Sequence, residues 1–466
     1  MNLRAGAFYP LLFLIVVSCR SSHVVGETQA DFDRIQVEQD GRDEPHVPSA
    51  PPIGLLLQLD QVLKLAQDQG LDLALARARQ DVSAAEAQIA RAAWIPELSL
   101  SADLWDNEGV VQSTEGEFLD VNKRNATLGV GLSLELDLAE ALFGPRSASA
   151  RLAAQRSATD AVRQSTRQRA AILFLDLLEA QFAQEIATEA RAHAQEMERV
   201  ERTRFESGSG LEVDYQRAQA HTAQVGALVV DSNTTRAMAA ARLAQHLNLD
   251  PTRDWQAQAP RVLEQWSDGN DLLGDLEVGA GDLSLAERAE RQRPELAAAR
   301  ARLRAARLDA RGESRRWLLP TLHASVFEGK FGPDLNDGAD STVTAAGVTW
   351  NLALGMAGQA QRARAREAQA RFELARLSRL VQAQVAAAHI SYKASASRHD
   401  LAQARLNAAE AGALLAEQRH AAGAGLLLEA LAAQSDRVSA SMEVVSARVD
   451  RLRASWNLTR ALGMER

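Results

Sequence analysis

The chain is written twice, and that repetition restricts its fold more than any other feature. Trp94-Ile95-Pro96-Glu97-Leu98 returns as Trp317-Leu318-Leu319-Pro320-Thr321-Leu322, with Pro96 and Pro320 224 positions apart. Gly131-Leu132-Ser133-Leu134 returns as Gly347-Val348-Thr349-Trp350 at a spacing of 216, which makes the loop of the first copy eight residues longer. Gly208-Ser209-Gly210 returns as Gly423-Ala424-Gly425 at 215, and Leu243 to Leu249 as Leu458 to Met464 at the same spacing. A chain of 466 residues would ordinarily be divided into two or three unrelated domains. Four landmarks in one order replace that division with one supersecondary unit used twice. The copies span 55–249 and 283–466, and the linker between them, 250–282, holds Pro251, Trp255, Pro260 and Trp266.

Each copy follows one plan. A first helix is expected over 59–93 and 283–317. Paired strands follow over 97–106 with 126–138, and over 321–329 with 342–354. A very long helix covers 146–205 and 357–420, and a Gly turn leads to a return helix over 211–248 and 426–463. The strands rest on alternation. Leu128, Val130, Leu132, Leu134, Leu136 and Leu138 take every second position, with Gly129, Gly131, Ser133, Glu135 and Asp137 between them. That period of two separates an apolar face from a polar one. Leu98, Leu100, Ala102 and Leu104 alternate likewise with Ser99, Ser101 and Asp103, while the second copy alternates less cleanly. A soluble sheet with one wet face would show the same pattern.

The long helices rest on apolar residues three and four apart: Ile172, Leu175, Leu178, Phe182, Ile186, Ala190, Ala194 and Met197, then Leu374, Leu377, Val381, Val385, Ala388 and Tyr392. This is a coiled-coil-like stripe. No proline interrupts 146–248 or 334–466. About 60 helical residues at ~1.5 Å each make a rod of roughly 90 Å. The two shorter helices of a copy, stacked end to end, match the long one in length and could flank it. Aromatic residues make up only 5% and Ala is abundant, which suits closely packed helices.

Four strands cannot close on themselves. A sheet with an apolar face toward lipid would leave two unpaired edges, which hydrocarbon does not tolerate. Closed barrels start at about eight strands. Two, three or four chains would supply eight, twelve or sixteen, and periodicity does not choose among them.

The N-terminus reads as a targeting segment. Arg4 precedes a short apolar run, Leu11 to Val17, too short to span a bilayer. Residues 1–18 are therefore expected to be a signal peptide. Val16-Val17-Ser18-Cys19 resembles the bacterial lipobox, which makes Cys19, the only cysteine, the expected lipidation site. A lone cysteine cannot form an internal disulfide. Arg20 follows in place of the Asp that retains such proteins at the inner membrane, so the resemblance implies the outer membrane. Residues 19–54, ending in Pro48, Pro51 and Pro52, read as an extended, lipid-anchored arm.

The order helix, strand, strand, long helix, Gly turn, helix, used twice, resembles the TolC-like outer-membrane efflux family. Gly208 followed by Asp214-Tyr215-Gln216-Arg217-Ala218-Gln219, and Gly423 followed by Glu429-Ala430-Leu431-Ala432-Ala433-Gln434, resemble that family's hairpin tips. Leu458 to Gly463 resembles its Leu-x-x-x-Leu-Gly ending. The likeness covers about 55–464, and the lipobox with its arm points to the lipoprotein branch. It implies a mainly α fold with a small β part: duplicated long helical hairpins forming an α-barrel, and four strands per chain in a trimeric, twelve-stranded transmembrane β-barrel. It also implies a homotrimer working with a periplasmic adaptor protein and an inner-membrane transporter, a passive exit duct of a tripartite efflux or secretion system. The residues leave open a second reading, a lipid-anchored periplasmic adaptor or a structural coiled-coil protein, which two hairpins with only four strands fit poorly.

The candidate functional residues are those of a pore. The net charge of −9 argues against a nucleic-acid surface. The nine histidines form no HExxH or paired-ligand spacing, and no GxSxG or Walker-type loop is present. No enzyme activity, cofactor or metal is expected. Gly208, Gly210, Gly423 and Gly425 are expected at the periplasmic hairpin tips, where tight helix reversals need φ > 0. The resemblance places an acidic constriction near the second tip. Glu429 falls on one such position, while Ala432 falls on the next, so a trimer would carry one ring of three carboxylates. Asp214, the counterpart of Glu429 in the repeat, is expected on the outer hairpin as a cap or adaptor contact. Asp103, Glu135 and Asp137, on the polar strand face, are expected to face the lumen, where charge is wet. For the N-terminus, Cys19→Ala is expected to abolish labelling by radioactive palmitate, and retained labelling would refute the assignment.

Overall fold

The computed structural model of the chain describes residues 56–258, 284–334 and 337–464. The signal peptide, Cys19 with its arm, and most of the linker lie outside the described residues. In chain order the elements of the first copy are β1 (Leu56–Leu57), α1 (Leu59–Asp68), α2 (Leu71–Ala92), β2 (Glu97–Gln112), β3 (Phe118–Asp137), α3 (Leu138–Glu206), α4 (Glu212–His246) and β4 (Gln256–Ala257). Those of the second are α5 (Leu285–Gln292), α6 (Pro294–Arg315), β5 (Thr321–Gly332), β6 (Ala339–Thr349), α7 (Met356–Ala421) and α8 (Leu427–Leu462).

The first helix of each copy is two helices, not one. The break falls at the same point in both: α2 and α6 each have 22 residues and start 223 positions apart, the spacing of Trp94 and Trp317. In the first copy Gly70 makes the joint, where a Cβ would lie 2.4 Å from the Ala66 carbonyl oxygen. In the second copy Pro294 takes the first helical position and holds Arg293 in extended backbone.

The four strands form one antiparallel sheet in the order β2-β3-β5-β6, so β2 and β6 are its edges. The extra length of the first copy is strand rather than loop. β2 and β3 pair from Glu97↔Ser133 to Gln112↔Phe118, whereas β5 pairs with β3 only as far as Ala126↔Gly332. Beyond that point the first hairpin projects as a two-stranded ribbon carrying Asp106, Glu108, Lys123 and Arg124. Apolar alternation stops there although pairing does not, and so the expected strands ended early. β6, in contrast, stops at Thr349, short of the expected 354. Its partner β5 begins only after Pro320, at Thr321, so Trp350 onward has no strand to pair with.

The long helix α3 begins eight residues before its expected start and includes Pro145. A proline in a helix deprives the carbonyl four residues earlier of its donor. That carbonyl is Ala141 O, and the Trp94 indole Nε1 donates to it instead, at 3.1 Å. The Trp of the repeated Trp-Pro landmark thus repairs the helix that Pro145 would interrupt.

α3 has 69 residues and α7 has 66, each about 100 Å long. They are the two full-length rods. In the half next to the sheet, α2 packs on α3, α3 on α6 and α6 on α7. In the other half, α4 packs on α3, α3 on α8 and α8 on α7. The short helices therefore do stack end to end along the rods. Between the halves lies the largest core, in which Phe174, Leu177 and Leu178 of α3 meet Val62, Leu243, Leu247 and Trp255. The start of the linker belongs to this core: β4 pairs in parallel with β1, and Trp255 is buried with its indole donating to the Asp250 carbonyl at 2.8 Å. A smaller equivalent in the second copy joins Ala289, Leu296, Val381, Val385 and Leu458.

Trp94→Phe keeps the ring and removes only the indole donor. It is expected to lower stability by about 1 kcal/mol, the usual size of one such hydrogen bond, and to reduce the thermal midpoint. Trp317→Phe, whose exposed indole makes no hydrogen bond among the described residues, is expected to have little effect. Equal midpoints for the two variants would remove Trp94 from the repair.

Candidate functional site

The strand register decides which side chains share a face. Leu98 stands opposite Leu132, Leu100 opposite Val130 and Ala102 opposite Leu128, all on one face. Most of this face is open: Leu98, Leu100, Leu128, Val130, Leu132 and Val326 are all exposed, Leu100 at 80%. The alternation of the first hairpin weakens in the second. Glu328 and Lys330 pair with Val130 and Leu128 on the leucine face. Phe327 lies on the opposite face, its ring over Gly129 and Gly131; a Cβ on Gly129 would come within 2.4 Å of the Phe327 Cζ.

Asp103 and Glu135 project from that opposite face, as the odd-numbered positions of β2 and β3 do. Glu135 pairs directly with His323. Asp137 shares the face in register but is engaged locally as the N-cap of α3. Its Oδ1 accepts from the backbone N–H groups of Ala139 at 2.8 Å and Glu140 at 3.1 Å, and Arg316 lies 3.8 Å from its other oxygen.

At the far ends of the rods, the two hairpin tips share one turn geometry. Gly208 has φ +74° and Gly423 φ +76°, a left-handed turn that an L side chain adopts only with strain. The Gly208 N–H donates to the Phe205 carbonyl and the Gly423 N–H to the His420 carbonyl, both at 3.0 Å. The Ser209 and Ala424 N–H groups donate to Arg204 and Arg419, both at 2.9 Å. Gly210 and Gly425 lie against those arginines: a Cβ would meet the Arg204 Cβ at 2.8 Å and the Arg419 Cβ at 3.1 Å. Asp214 and Glu429 occupy the first turns of α4 and α8, where a carboxylate favours the helix dipole. Asp214 is half-buried and ion-paired with Arg217 at 3.5 Å, whereas Glu429 is exposed.

The tips diverge in one position that sequence reasoning passed over. Phe205 of the first tip stacks on Tyr215, with ring centroids 6.0 Å apart, and Arg202 lies over the same ring at 5.6 Å. His420 takes the place of Phe205 in the second tip and turns toward the first hairpin. Its Nε2 lies 2.9 Å from Glu201 Oε1 and 3.1 Å from Arg204 Nη1, and its Nδ1 3.3 Å from the Gly425 carbonyl. Arg204 also donates to Glu201 at 3.0 Å. Glu201 is only 4% exposed. A buried carboxylate thus ties one tip to the other. The only hint in the sequence was the His for Phe exchange between otherwise matching turns.

Midway along the rods a second polar tie joins α8 to α3. Arg453 donates to Asp176 and Glu179, both at 2.5 Å, and to Asp450 at 2.8 Å. Burial alone would lower the Arg453 pKa; the hydrogen bonds from its guanidinium to Asp450, Glu179 and Asp176 outweigh this and raise it above the usual arginine range. Among the described residues no three His, Cys, Asp or Glu side chains are placed to hold a metal ion, and no helix is long and apolar enough to cross a membrane.

A family model of outer membrane efflux proteins matches residues 62–249 and 285–464, the two copies of the repeat. The chain belongs to the outer membrane efflux protein family. It is accordingly an outer-membrane efflux channel that reaches into the periplasm, a passive duct and not an enzyme. Solved channels share the fold. The outer-membrane channel OprN matches with a TM-score of 0.75 at 21% identity, over 87% of this chain and 90% of that one. CmeC of Campylobacter jejuni matches at 0.77 and 18%, over 87% and 85%. VceC of Vibrio cholerae matches at 0.74 and 19%, over 87% and 96%. None of the curated proteins matches the chain in a sequence comparison.

In this efflux protein Glu201→Ala strands Arg204 and His420 without their shared carboxylate. The second tip is expected to loosen, read as several-fold faster trypsin cleavage after Arg419 in the folded protein. An unchanged cleavage rate would show that Glu201 does not hold the tips together.

Proposed function

We propose that three copies of this chain close into one duct, with a twelve-stranded β-barrel in the outer membrane and an α-barrel of hairpins across the periplasm. The observation that carries this reading is the open four-stranded sheet: two unpaired edges, β2 and β6, border a face of exposed Leu and Val. Bare backbone edges in hydrocarbon cost several kcal/mol per unsatisfied group. Pairing β6 of one copy with β2 of the next removes them along the 11-residue length of β6. The helices carry the same instruction. α2 exposes Leu75, Val82 and Ile89 at intervals of seven, and α7, at the other margin, exposes Phe372, Leu380, Ile390 and Leu401. These are seams awaiting a neighbouring copy.

In that assembly Asp103 and Glu135 line a wet lumen, with Asp137 at its lower rim. The exposed Glu429 side chains form a ring of three near the periplasmic opening and attract cations to it. Asp214 on the outer hairpin is a contact for a periplasmic adaptor, which couples the duct to an inner-membrane transporter that supplies energy and cargo. Cys19 carries the lipid anchor, and the chain belongs to the lipoprotein branch of its family.

The assembly is tested by extraction and size. The chain is expected to need detergent, to run as a trimer in native mass spectrometry and to shift mobility on heating in SDS. A dispersed monomer in plain buffer would overturn the duct. Glu429→Ala is expected to raise single-channel conductance in planar bilayers and weaken cation preference. If both stay as in the parent channel, Glu429 is not at the constriction.

A further inference from the structure

We infer that an arginine-lined cleft beside the sheet binds the phosphate headgroup of anionic phospholipids in the periplasmic leaflet of the outer membrane. This rests on the membrane placement of the sheet proposed above. The cleft, about 390 Å³, opens where the starts of α3 and α7 flank α6, and five arginines line it against only three carboxylates. Two of the five are neutralised. Arg151 pairs with Asp309 at 2.6 Å, and Arg316 lies between Asp137, Glu140 and Glu313. Arg302, Arg362 and Arg366 have no ion-pair partner among the described residues and are exposed. An unpaired cationic trio is conspicuous in a chain with a net charge of −9.

The two copies differ in part of this charge. At the spacing of 223 that aligns α6 with α2, Arg302 corresponds to Arg79, but Arg316 corresponds to Ala93. At the spacing of 215 that aligns α7 with α3, Arg366 corresponds to Arg151, but Arg362 corresponds to Ser147. Arg316 and Arg362 are therefore the guanidiniums that the second copy adds to the cleft.

Its position selects the ligand. At the junctions of strands and helices the chain exposes Trp94, Ile95, Trp317, Leu318, Trp350 and Leu352. Tryptophan at a sheet's margin marks the membrane–water interface. Arg316 is the residue before Trp317, and Arg362 sits six residues into α7, about 9 Å along its axis. The cleft therefore starts at the level of the headgroups and runs from there into the periplasm. Guanidinium is the side chain suited to planar, bidentate phosphate recognition. Phe143, beneath Arg315 at 5.6 Å, gives the cleft an apolar wall beside its charge.

The experiment uses the full-length channel in nanodiscs, first shown to conduct in planar bilayers. Native mass spectrometry then counts retained phosphatidylglycerol against phosphatidylethanolamine. The parent channel is expected to retain phosphatidylglycerol at least about tenfold better. A triple variant, Arg302→Gln, Arg362→Gln and Arg366→Gln, is expected to lose that preference. Arg191→Gln, Lys393→Gln and Arg398→Gln, an equal loss of exposed charge from the lower helices, are expected to keep it. Equal retention by both variants would overturn the site, as would a cleft variant that keeps its lipids but changes the anion permeability of the pore, which would make the cleft lumenal. Protein that never conducts would sink the channel reading itself, whereas conducting channels without lipid preference sink only this site.

Discussion

Unpaired backbone at two strand edges is the constraint from which the rest of this molecule follows. The outward N–H and C=O groups along β2 and β6 must find partners, and among the described residues this sheet has no fifth strand to offer. In water such edges are blunted by short strands, charge or bulges. Here they are long, and the face between them exposes leucine and valine from the first hairpin beside Glu328 and Lys330 of the second. The proposed barrel of several copies would pair these edges along their shared length, and it would fix how the helices below must sit. Strand and rod join with almost no connecting residues, since α3 begins at the residue after β3. A closed ring of strands therefore imposes a ring on the helices. The exposed heptad stripe of α2 is the helical form of the same unmet need.

Rods of about 100 Å gain little from a single contact, so their alignment rests on ties spaced along them. The core around Phe174 and Trp255 holds the middle, Arg453 locks α8 to two carboxylates of α3, Asp176 and Glu179, and Glu201 joins the tips. The polar ties are long-range in sequence: Arg453 and Asp176 are 277 residues apart, and His420 and Glu201 are 219. A buried charge pair contributes less to net stability than to register, because sliding one rod past the other would leave a charge unpaired. Between smooth, alanine-rich helices, register is what packing alone specifies poorly.

Much of this was legible in the sequence because repetition and periodicity are local signals. The return helices α4 and α8 end within two residues of expectation, and the glycine turns are where their spacing put them. What was missed depended on contacts. Phe174 and Leu177 lay off the single stripe traced along α3, because that helix is packed on two sides at mid-height, against α1 and α4 on one and α8 on the other. The helix break at Gly70 was hidden by uninterrupted apolar spacing. Pro145 read as a boundary, since nothing nearby announces that Trp94, 47 residues away, donates to the orphaned carbonyl. The outer ribbon of β2 and β3 escaped notice because alternation reports burial, and a ribbon in water has none. At the site, the tip glycines were visible as residue types. The Glu201–Arg204–His420 tie was not, since it joins residues of two copies that only folding brings together.

Duplication explains the architecture, and divergence between the copies explains where chemistry collects. Two identical copies would give a ring with equal tips and equal corners, in which nothing distinguishes an inner hairpin from an outer one. This chain has broken that equivalence in the second copy. Phe205, stacked within its own hairpin, is matched by His420, which reaches across to the other. Ala92, Ala93 and Ser147 are matched by Arg315, Arg316 and Arg362. The paired, half-buried Asp214 is matched by the exposed Glu429. In each case the backbone is shared and only the side chain differs, so these residues are not demanded by the fold. A passive duct has no reaction to catalyse, and its specificity must lie in which charges it shows to lipid, cargo and neighbouring subunits. Those charges are what the second copy has changed.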